Sequence, residues 1–548
     1  MAQALGNAEV QMIMRMLTAS LLGVLVALAA PIKAWAYDVQ EKTIAQLQQD
    51  LAAGAVTSEQ LVEAYLERIA AIDDAGPTLN AVIAINPDAL ASARALDAER
   101  RAGRTRGPLH GTPILLKDNI ESADAMATTA GSLALQANRT ERDAPVVARL
   151  RAAGAIILGK TNLSEWANIR DGASVSGWSA IGGLTRNPYA LNRNACGSSS
   201  GSGAGAAASL AAAAIGTETD GSVVCPSSVN GLVGLKPTVG LVSRTHIIPI
   251  SQTQDTAGPM ARSVADAALL LTVMAGSDSA DPATAEADRR RRDYTSGLTA
   301  GALAGRRIGV LRFMSGFHAG VDVAFSQALE QLKAAGATLV DIPTAPVDLA
   351  TLGADELTIL LAELKSGLSA YLATTPGPVQ TRSLAEVIAF NAATPRETAL
   401  FGQSLFERAQ ATQGTEDPAY RLALSRAPVR AAEILDGLMR DNSVDALAAP
   451  TTGPAWLSDV VLGDHYVGGG ASMLPAIAGY PHVTVPMGLT GGLPVGLSLI
   501  AGRWEDDKLL AFAYAFEQQA QARRPPRYET GVETTAPFAT AVRGDGAR

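Results

Sequence analysis

Two turns, Cys196-Gly197-Ser198-Ser199-Ser200-Gly201-Ser202-Gly203 and Gly216-Thr217-Glu218-Thr219-Asp220-Gly221-Ser222-Val223-Val224-Cys225-Pro226, bracket an alanine-rich run, and Gly231-Leu232-Val233-Gly234-Leu235-Lys236-Pro237-Thr238 closes the stretch. The run Ala206 to Ala214 holds no Gly or Pro, and its composition predicts a tightly packed helix. Small side chains let backbones come close. Glycines beside serines adopt backbone angles that strain other residues and leave N–H groups free to face a ligand. A nucleophile site with an oxyanion hole is built from such parts. Composition alone would make the stretch a linker. Ile215, Val223, Val224, Leu232 and Val233 interrupt it, however, and the polar monotony of a linker is missing.

The two turns resemble the signature of the amidase signature family of serine hydrolases, which use a Ser-Ser-Lys triad in place of Ser-His-Asp. The family's Gly-Thr-x-x-Gly-Gly-Ser turn carries the nucleophile and matches Gly216 to Ser222, with Asp220 replacing the first glycine of the pair. The resemblance therefore makes Ser222 the nucleophile. The family's Gly-Gly-Ser-Ser-Gly-Gly-Ser turn matches Cys196 to Ser202, with Cys196 and Ser200 at two glycine positions. It implies that Ser198 is the bridging serine, held by a cis peptide bond. The triad lysine lies in a Pro-x-x-x-Lys-Asp motif, matched by Pro113-Ile114-Leu115-Leu116-Lys117-Asp118, so that it falls on Lys117. Similarity runs from about Thr43 to about Pro526. Ser-Glu-Trp-Ala-Asn at 164–168, Ser-Gly-Trp-Ser at 176–179 and Thr-Glu-Thr-Asp-Gly-Ser at 217–222 look most like the bacterial peptide amidases, which remove the C-terminal amide of peptides. The resemblance implies one mixed central sheet covered by helices on both faces.

Composition sets the class. A chain of 548 residues, 47% apolar and 18% charged, is that of a soluble globular protein, and alternating strand and helix patterns make it α/β. Arg15, the apolar run Leu17 to Ala30 and the small-x-small site Ala34-Trp35-Ala36 read as a cleaved signal peptide over 1–36, too short for a membrane anchor. Export to the periplasm or medium is expected. Residues 37–526 form one domain on this reading, and 527–548, which lack periodicity, a disordered tail. The net charge of −9, which becomes −10 once Glu9, Arg15 and Lys33 leave with the signal, disfavours nucleic-acid binding. Arg289 to Arg292 is flanked by Glu286, Asp288 and Asp293 and reads as a solvated helix face. A monomer is expected.

Two cysteines exclude a disulfide scaffold and give no zinc spacing. Cys196 and Cys225 each lie within three residues of a proposed site serine. If Ser198 and Ser222 meet in space, the cysteines become neighbours as well, which leaves a disulfide open in an exported chain.

Thr43 starts a helix with Ile44, Leu47 and Leu51 on one face, Gln46 completing a capping box and Gly54 at its end; a second follows from Thr57. Strands are predicted over Asn80–Ile85, Pro113–Leu116 and Ala155–Leu158, with a helix over Pro145–Ala153. Ile308–Leu311, Val323–Ala335 and Thr338–Ile342 suggest a strand-helix-strand unit. Residues 343–435 are mostly helical, and substrate selection is expected there. Strands return at Ala446–Ala449, Val483–Pro486 and Gly492–Ile500.

Two motifs point elsewhere and are rejected. Gly154-x4-Gly159-Lys160-Thr161 satisfies the P-loop expression, but its variable residues are apolar and strand-like where a phosphate cradle needs a turning backbone. Gly197-Ser198-Ser199-Ser200-Gly201 satisfies the nucleophile-elbow pattern of α/β-hydrolases, which would make Ser199 the nucleophile. The residues before it, Asn187 to Asn194, are loop-like rather than a buried strand, and His246, His318, His465 and His482 sit in no recognisable motif.

The expected chemistry is hydrolysis of a peptide C-terminal carboxamide with release of ammonia. Lys117, neutral at rest, takes a proton relayed by Ser198 from Ser222; backbone N–H groups of Thr219, Asp220, Gly221 and Ser222 hold the oxyanion. No metal or organic cofactor is required. Ser199, Ser200 and Ser202 are structural hydrogen-bonders on this reading. A broad aliphatic or aryl acylamidase is the nearest alternative, and a non-catalytic periplasmic peptide-binding protein the alternative of another class. The family's tRNA-dependent amidotransferase member fits an exported acidic chain poorly, because such a chain meets neither tRNA nor partner subunits.

Overall fold

Strands far apart in sequence are brought side by side, and the site depends on which ones are neighbours. A computed structural model describes residues 37–345, 349–535 and 538–543; the signal peptide read over 1–36 lies outside these. In chain order the strands are β1 (Val82–Ile85), β2 (Pro113–Lys117), β3 (Ile156–Thr161), β4 (Trp178–Ser179), β5 (Gly183–Leu184), β6 (Ala213–Glu218), β7 (Val233–Lys236), β8 (Thr256–Ala261), β9 (Arg307–Leu311), β10 (Thr338–Ile342), β11 (Ala446–Pro450), β12 (His482–Thr490) and β13 (Leu493–Ile500). Eleven form one sheet in the order β1-β3-β2-β6-β8-β7-β12-β13-β11-β9-β10, while β4 and β5 pair separately. The sheet is mixed: β2 runs parallel to β3 and β6, and β9 parallel to β10 and β11, whereas the remaining pairs are antiparallel. Helices flank it, and residues 39–548 make one α/β domain.

Local chemistry accounts for many elements. Thr43 and Gln46 form the expected capping box at the start of the helix Ile44–Ala52, which buries Ile44, Leu47 and Leu51. Thr57 and Gln60 repeat the device at Ser58–Arg68. β2, β3 and β6 are buried along their whole length, as strands covered on both faces must be.

The alanine run departs from expectation. Its helix is Ser200–Ala207 rather than Ala206–Ala214; Ser209 turns the chain at φ +55°, and Ala213-Ala214-Ile215 belong to β6. A uniformly small, uniformly buried segment has no periodicity to choose between helix and strand. The vacancy between β2 and β8 makes the choice. The end of the chain differs too. Tyr528 N–H donates to the Pro188 carbonyl at 3.0 Å and Leu191 N–H to that of Glu529 at 2.8 Å, so the start of the expected disordered tail is tied to the body. Asn192 holds Glu533 at 2.7 Å, and Phe538–Arg543 is helical.

The helix Ser200–Ala207 is clasped closely. A Cβ at Gly201 would lie 2.2 Å from the Ala81 carbonyl oxygen and 2.6 Å from the Asn162 backbone. Both obstacles are main chain, so neither can swing away, and overpacking of this kind costs about 1–3 kcal/mol or more. Gly201→Ala is therefore expected to lower the midpoint of urea unfolding by at least that free energy, while Gly297→Ala, where nothing lies within 4 Å of the added Cβ, changes it little. The helix Val224–Val229 is stapled to the loop before Ser200 by a disulfide between Cys196 and Cys225, Cα to Cα 6.1 Å, closing a sequence separation of 29. A loop of that size stabilises by roughly 3–4 kcal/mol in the chain-entropy picture. Cys196→Ala/Cys225→Ala is expected to lose about that much in denaturant unfolding, and adding a reductant to the double variant should then change nothing further.

Candidate active site

β2, β3 and β6 are parallel to one another, so their C-terminal ends share one edge, where α/β sheets bind ligands. Lys117 ends β2 and is fully buried. Its Nζ meets Ser198 Oγ at 2.7 Å and, across on β6, Thr217 Oγ1 at 2.8 Å and the Thr217 carbonyl at 3.3 Å. Asn119 Nδ2 donates to the same Thr217 hydroxyl at 2.9 Å, fixing it as a shared acceptor. Burial pulls the Lys117 ammonium down to about 7, against the opposing charges of Asp255 and Glu218. A lysine with that value holds an appreciable neutral fraction at neutral pH.

Ser198 follows a cis peptide bond from Gly197. Its carbonyl accepts from Ser164 N–H at 3.0 Å, and the Ser164 hydroxyl accepts from Gly177 N–H at 2.9 Å. The stretches 164–168 and 176–179 thereby buttress the first turn. Glu165 next door is paired with Arg170 at 2.6 Å, and Arg170 also contacts Glu397 and stacks 4.1 Å from the Phe401 ring centroid.

The second turn is organised from below. Glu218 Oε2 accepts from Val223 N–H at 2.8 Å and Val224 N–H at 3.0 Å, capping the helix that follows. Its carboxyl is raised by burial, with the Lys236 ammonium opposing. Among the described residues the N–H groups of Thr219, Asp220, Gly221 and Ser222 donate to no protein acceptor, and Gly221 takes φ +78°. Four successive unclaimed donors around a left-handed residue form an anion nest. Thr219 Oγ1 is anchored on Asp255 Oδ1 at 2.6 Å. Ser222 is 9% exposed where Ser198 and Lys117 are 0%, so Ser222 stands nearest the surface of the three. No hydrogen bond joins the Ser222 and Ser198 hydroxyls among the described residues; the two turns meet through Ser199 N–H and the Ser222 carbonyl at 3.2 Å.

The rejected motifs resolve accordingly. Lys160 is a buried strand residue whose Nζ holds the Ile120 carbonyl and Thr128 Oγ1, with Asp118 3.9 Å away. Ser199 Oγ is occupied by the backbone of Thr217, donating to its carbonyl at 3.1 Å and accepting from its N–H at 3.3 Å. Ser202 shares a proton with Thr161, and Ser200 bonds the Cys196 carbonyl. His482, pushed down to about 3 by burial, pairs with Ser498 and is remote from the turns in its bonding.

Thr217, Asn119, Ser164 and Asp255 complete the site without having been singled out by sequence. Thr217 lies inside the second motif and Asn119 directly after Lys117-Asp118, and both could have been found by asking what satisfies a buried lysine. Asp255 carries no local signal. A cavity of about 270 Å³ opens beside Asn119 and Thr217, walled by Ile247, Ile248 and Ile250 with Arg244 and Asp255. Among the described residues no cluster of three or more His, Cys, Asp or Glu is arranged to hold a metal, and no helix is long and apolar enough to cross a membrane.

Comparison with known proteins agrees with this geometry. The family described as Amidase matches residues 60–510. The structure of a native peptide amidase from Stenotrophomonas maltophilia superposes with a TM-score of 0.85 at 52% identity, covering 90% of this chain and 99% of that one. A probable amidase of Arabidopsis thaliana is 39% identical over 503 residues, 90% of this chain and 92% of its own. A glutamyl-tRNA(Gln) amidotransferase component from Chloroflexus aurantiacus is 37% identical over 506 residues, 88% and 97% of the two chains. With a buried lysine, a cis-linked serine and a nest of free N–H groups on one sheet edge, and a family match across most of its length, the chain belongs to the amidase family and is an amide-hydrolysing enzyme.

Proposed function

We propose that the chain hydrolyses the C-terminal carboxamide of peptides through Ser222, Ser198 and Lys117. The observation that carries the triad is the 2.7 Å contact from the Lys117 Nζ to the Ser198 hydroxyl behind a less buried Ser222. Neutral Lys117 takes the proton of Ser198 as Ser198 takes that of Ser222. A Ser222 Oγ to carbon bond forms, and the carbonyl electrons move onto oxygen. The N–H groups of Thr219 to Ser222 receive that charge, and each such donor is worth about 2.7–4 kcal/mol in related chemistry. The proton then returns through Ser198 to nitrogen, the C–N bond breaks and ammonia leaves. Water attacks the acyl-enzyme by the same relay, freeing the acid and restoring Ser222.

Identity to a peptide amidase over nearly the whole chain supports the peptide substrate. The disulfide supports export, since such bonds persist in oxidising compartments. Likeness to an amidotransferase component favours a second reading, transfer of ammonia within a larger assembly. The acidic charge of −9 argues against a tRNA-bound assembly.

Ammonia release from an amidated dipeptide, with its free acid as control, tests the reading. Wild type is expected to release ammonia, Ser222→Ala and Lys117→Ala to fall by at least about 1,000-fold, and Ser199→Ala to keep most of the activity. Loss confined to Ser199→Ala would assign the nucleophile to the elbow pattern instead. The pH profile follows from the lysine: protonated Lys117 cannot accept a proton, and its value stands at about 7. The acidic limb of kcat/KM should accordingly fall tenfold per pH unit below neutrality. A flat profile from pH 5 to 8 would remove Lys117 as the base.

A further inference from the structure

Asp220 stands where the turn needs only a glycine, two residues before Ser222. The residue is partly exposed, while Oδ1 is buried and has no hydrogen-bond partner among the described residues. A buried acceptor left unpaired is retained at a cost unless a ligand supplies the donor. Glu356, on the helix Leu349–Leu372, stands behind it at 7% exposure. Its Oε1 accepts from Gln254 Nε2 at 2.8 Å, and that same amide reaches the Thr219 carbonyl at 3.3 Å. One side chain thus ties the second carboxyl to the residue beside Asp220. The Ser472 hydroxyl lies 3.1 Å from where a Cβ on Gly221 would be. Burial pushes both carboxyls up, opposed at Asp220 by the Ser472 hydroxyl and the Lys236 ammonium, and the Asp220 charge helps hold Glu356 at about 8. With Glu356 held at about 8, its protonated form predominates at neutral pH.

We propose that Asp220, backed by Glu356, is the specificity-determining group that admits an uncharged primary carboxamide and excludes a carboxylate from the head of the substrate site. A carboxamide offers two N–H donors to the unpaired oxygen. A carboxylate offers only acceptors and a like charge. Hydrolysis creates that carboxylate next to Asp220, so the group that admits the amide also expels the acid and limits product inhibition. This inference rests on the amide-hydrolase reading above and extends it to Asp220.

Binding without turnover separates the two. In a Ser222→Ala background, titration calorimetry with an amidated dipeptide and its free-acid counterpart is expected to show the amide bound at least about tenfold tighter. Adding Asp220→Asn should bring the ratio close to one, chiefly by tightening the acid. Asp220→Gly, which restores the residue of the resembled pattern, serves as the second variant should Asp220→Asn fail to fold. Glu356→Gln replaces a protonated carboxyl by an amide of the same shape and should keep the ratio within about threefold. In the active enzyme, Asp220→Gly should lower the inhibition constant of the free acid about tenfold with a smaller change in KM for the amide. An unchanged ratio in both Asp220 variants, equal weakening of both ligands, or no preference for the amide in Ser222→Ala overturns the proposal. Failure of the amide-hydrolase reading shows instead as absence of ammonia release in wild type.

Discussion

The structure depends on keeping one lysine, Lys117, dry. A fully buried ammonium in a medium of low dielectric is costly unless it is paired or gives up its proton. Lys117 makes no salt bridge among the described residues; it meets a hydroxyl from each of two neighbouring segments instead. Those partners exist only because β2 lies between β3 and β6 with parallel register, Leu116 opposite Ile215, so that Thr217 rises beside Lys117. A slip by one residue would turn the lysine to the opposite face of the sheet. The fold's long crossovers therefore serve one contact.

Two other buried lysines show the alternative solutions. Lys160 is partnered by a carbonyl, a hydroxyl and, farther off, Asp118. Lys236 stands beneath the second turn among Glu218, Asp506 and Asp220, and remains near 8 because those carboxylates oppose its desolvation. Burial draws Lys117 down to about 7 and Lys236 to about 8, and in both it outweighs the opposing carboxylates, Asp255 and Glu218 for the first and Glu218, Asp506 and Asp220 for the second. Asp255 accepts from Thr219, Ile250 and Ser251, and Glu218 from Val223 and Val224. Carboxylates spent on these donors brace the turn without forming an ion pair with Lys117.

How much of this is legible in the sequence follows from the same physics. Motifs name Lys117, Ser198 and Ser222, and apolar runs mark the strands β2, β10 and β11 close to their observed ends, whereas the run read as ending at Leu158 continues in β3 to Thr161. They do not mark β7 and β8. Thr256-Ala-Gly-Pro-Met-Ala261 contains a glycine and a proline, which count against a strand, yet a Cβ on Gly258 would lie 2.0 Å from the Leu235 carbonyl oxygen, so close approach of β7 demands a glycine there. The alanine run misleads for the complementary reason, since its burial is complete on every side. Asp255, Glu356 and Gln254 reach the site from segments whose nearness to Ser222 is purely tertiary, and no local pattern marks them.

A carboxyl at position 220 sharpens the electrostatic problem that the nest of N–H groups has to solve. On the proposed mechanism charge accumulates on the substrate oxygen within reach of residues 219–222, and a full negative charge on Asp220 would oppose it. The structure reduces that opposition from two sides. Burial raises the Asp220 carboxyl above its ordinary value, and the Lys236 ammonium beneath the turn offsets what charge remains. On the proposal above, Glu356 held at about 8 limits the charge beside the nest, while Asp220 still disfavours a carboxylate. On the proposed mechanism, the lowered lysine behind, the unclaimed N–H groups at the centre and the partly quenched carboxyl in front would form a gradient along which an amide, its tetrahedral anion and its acid product are each treated differently.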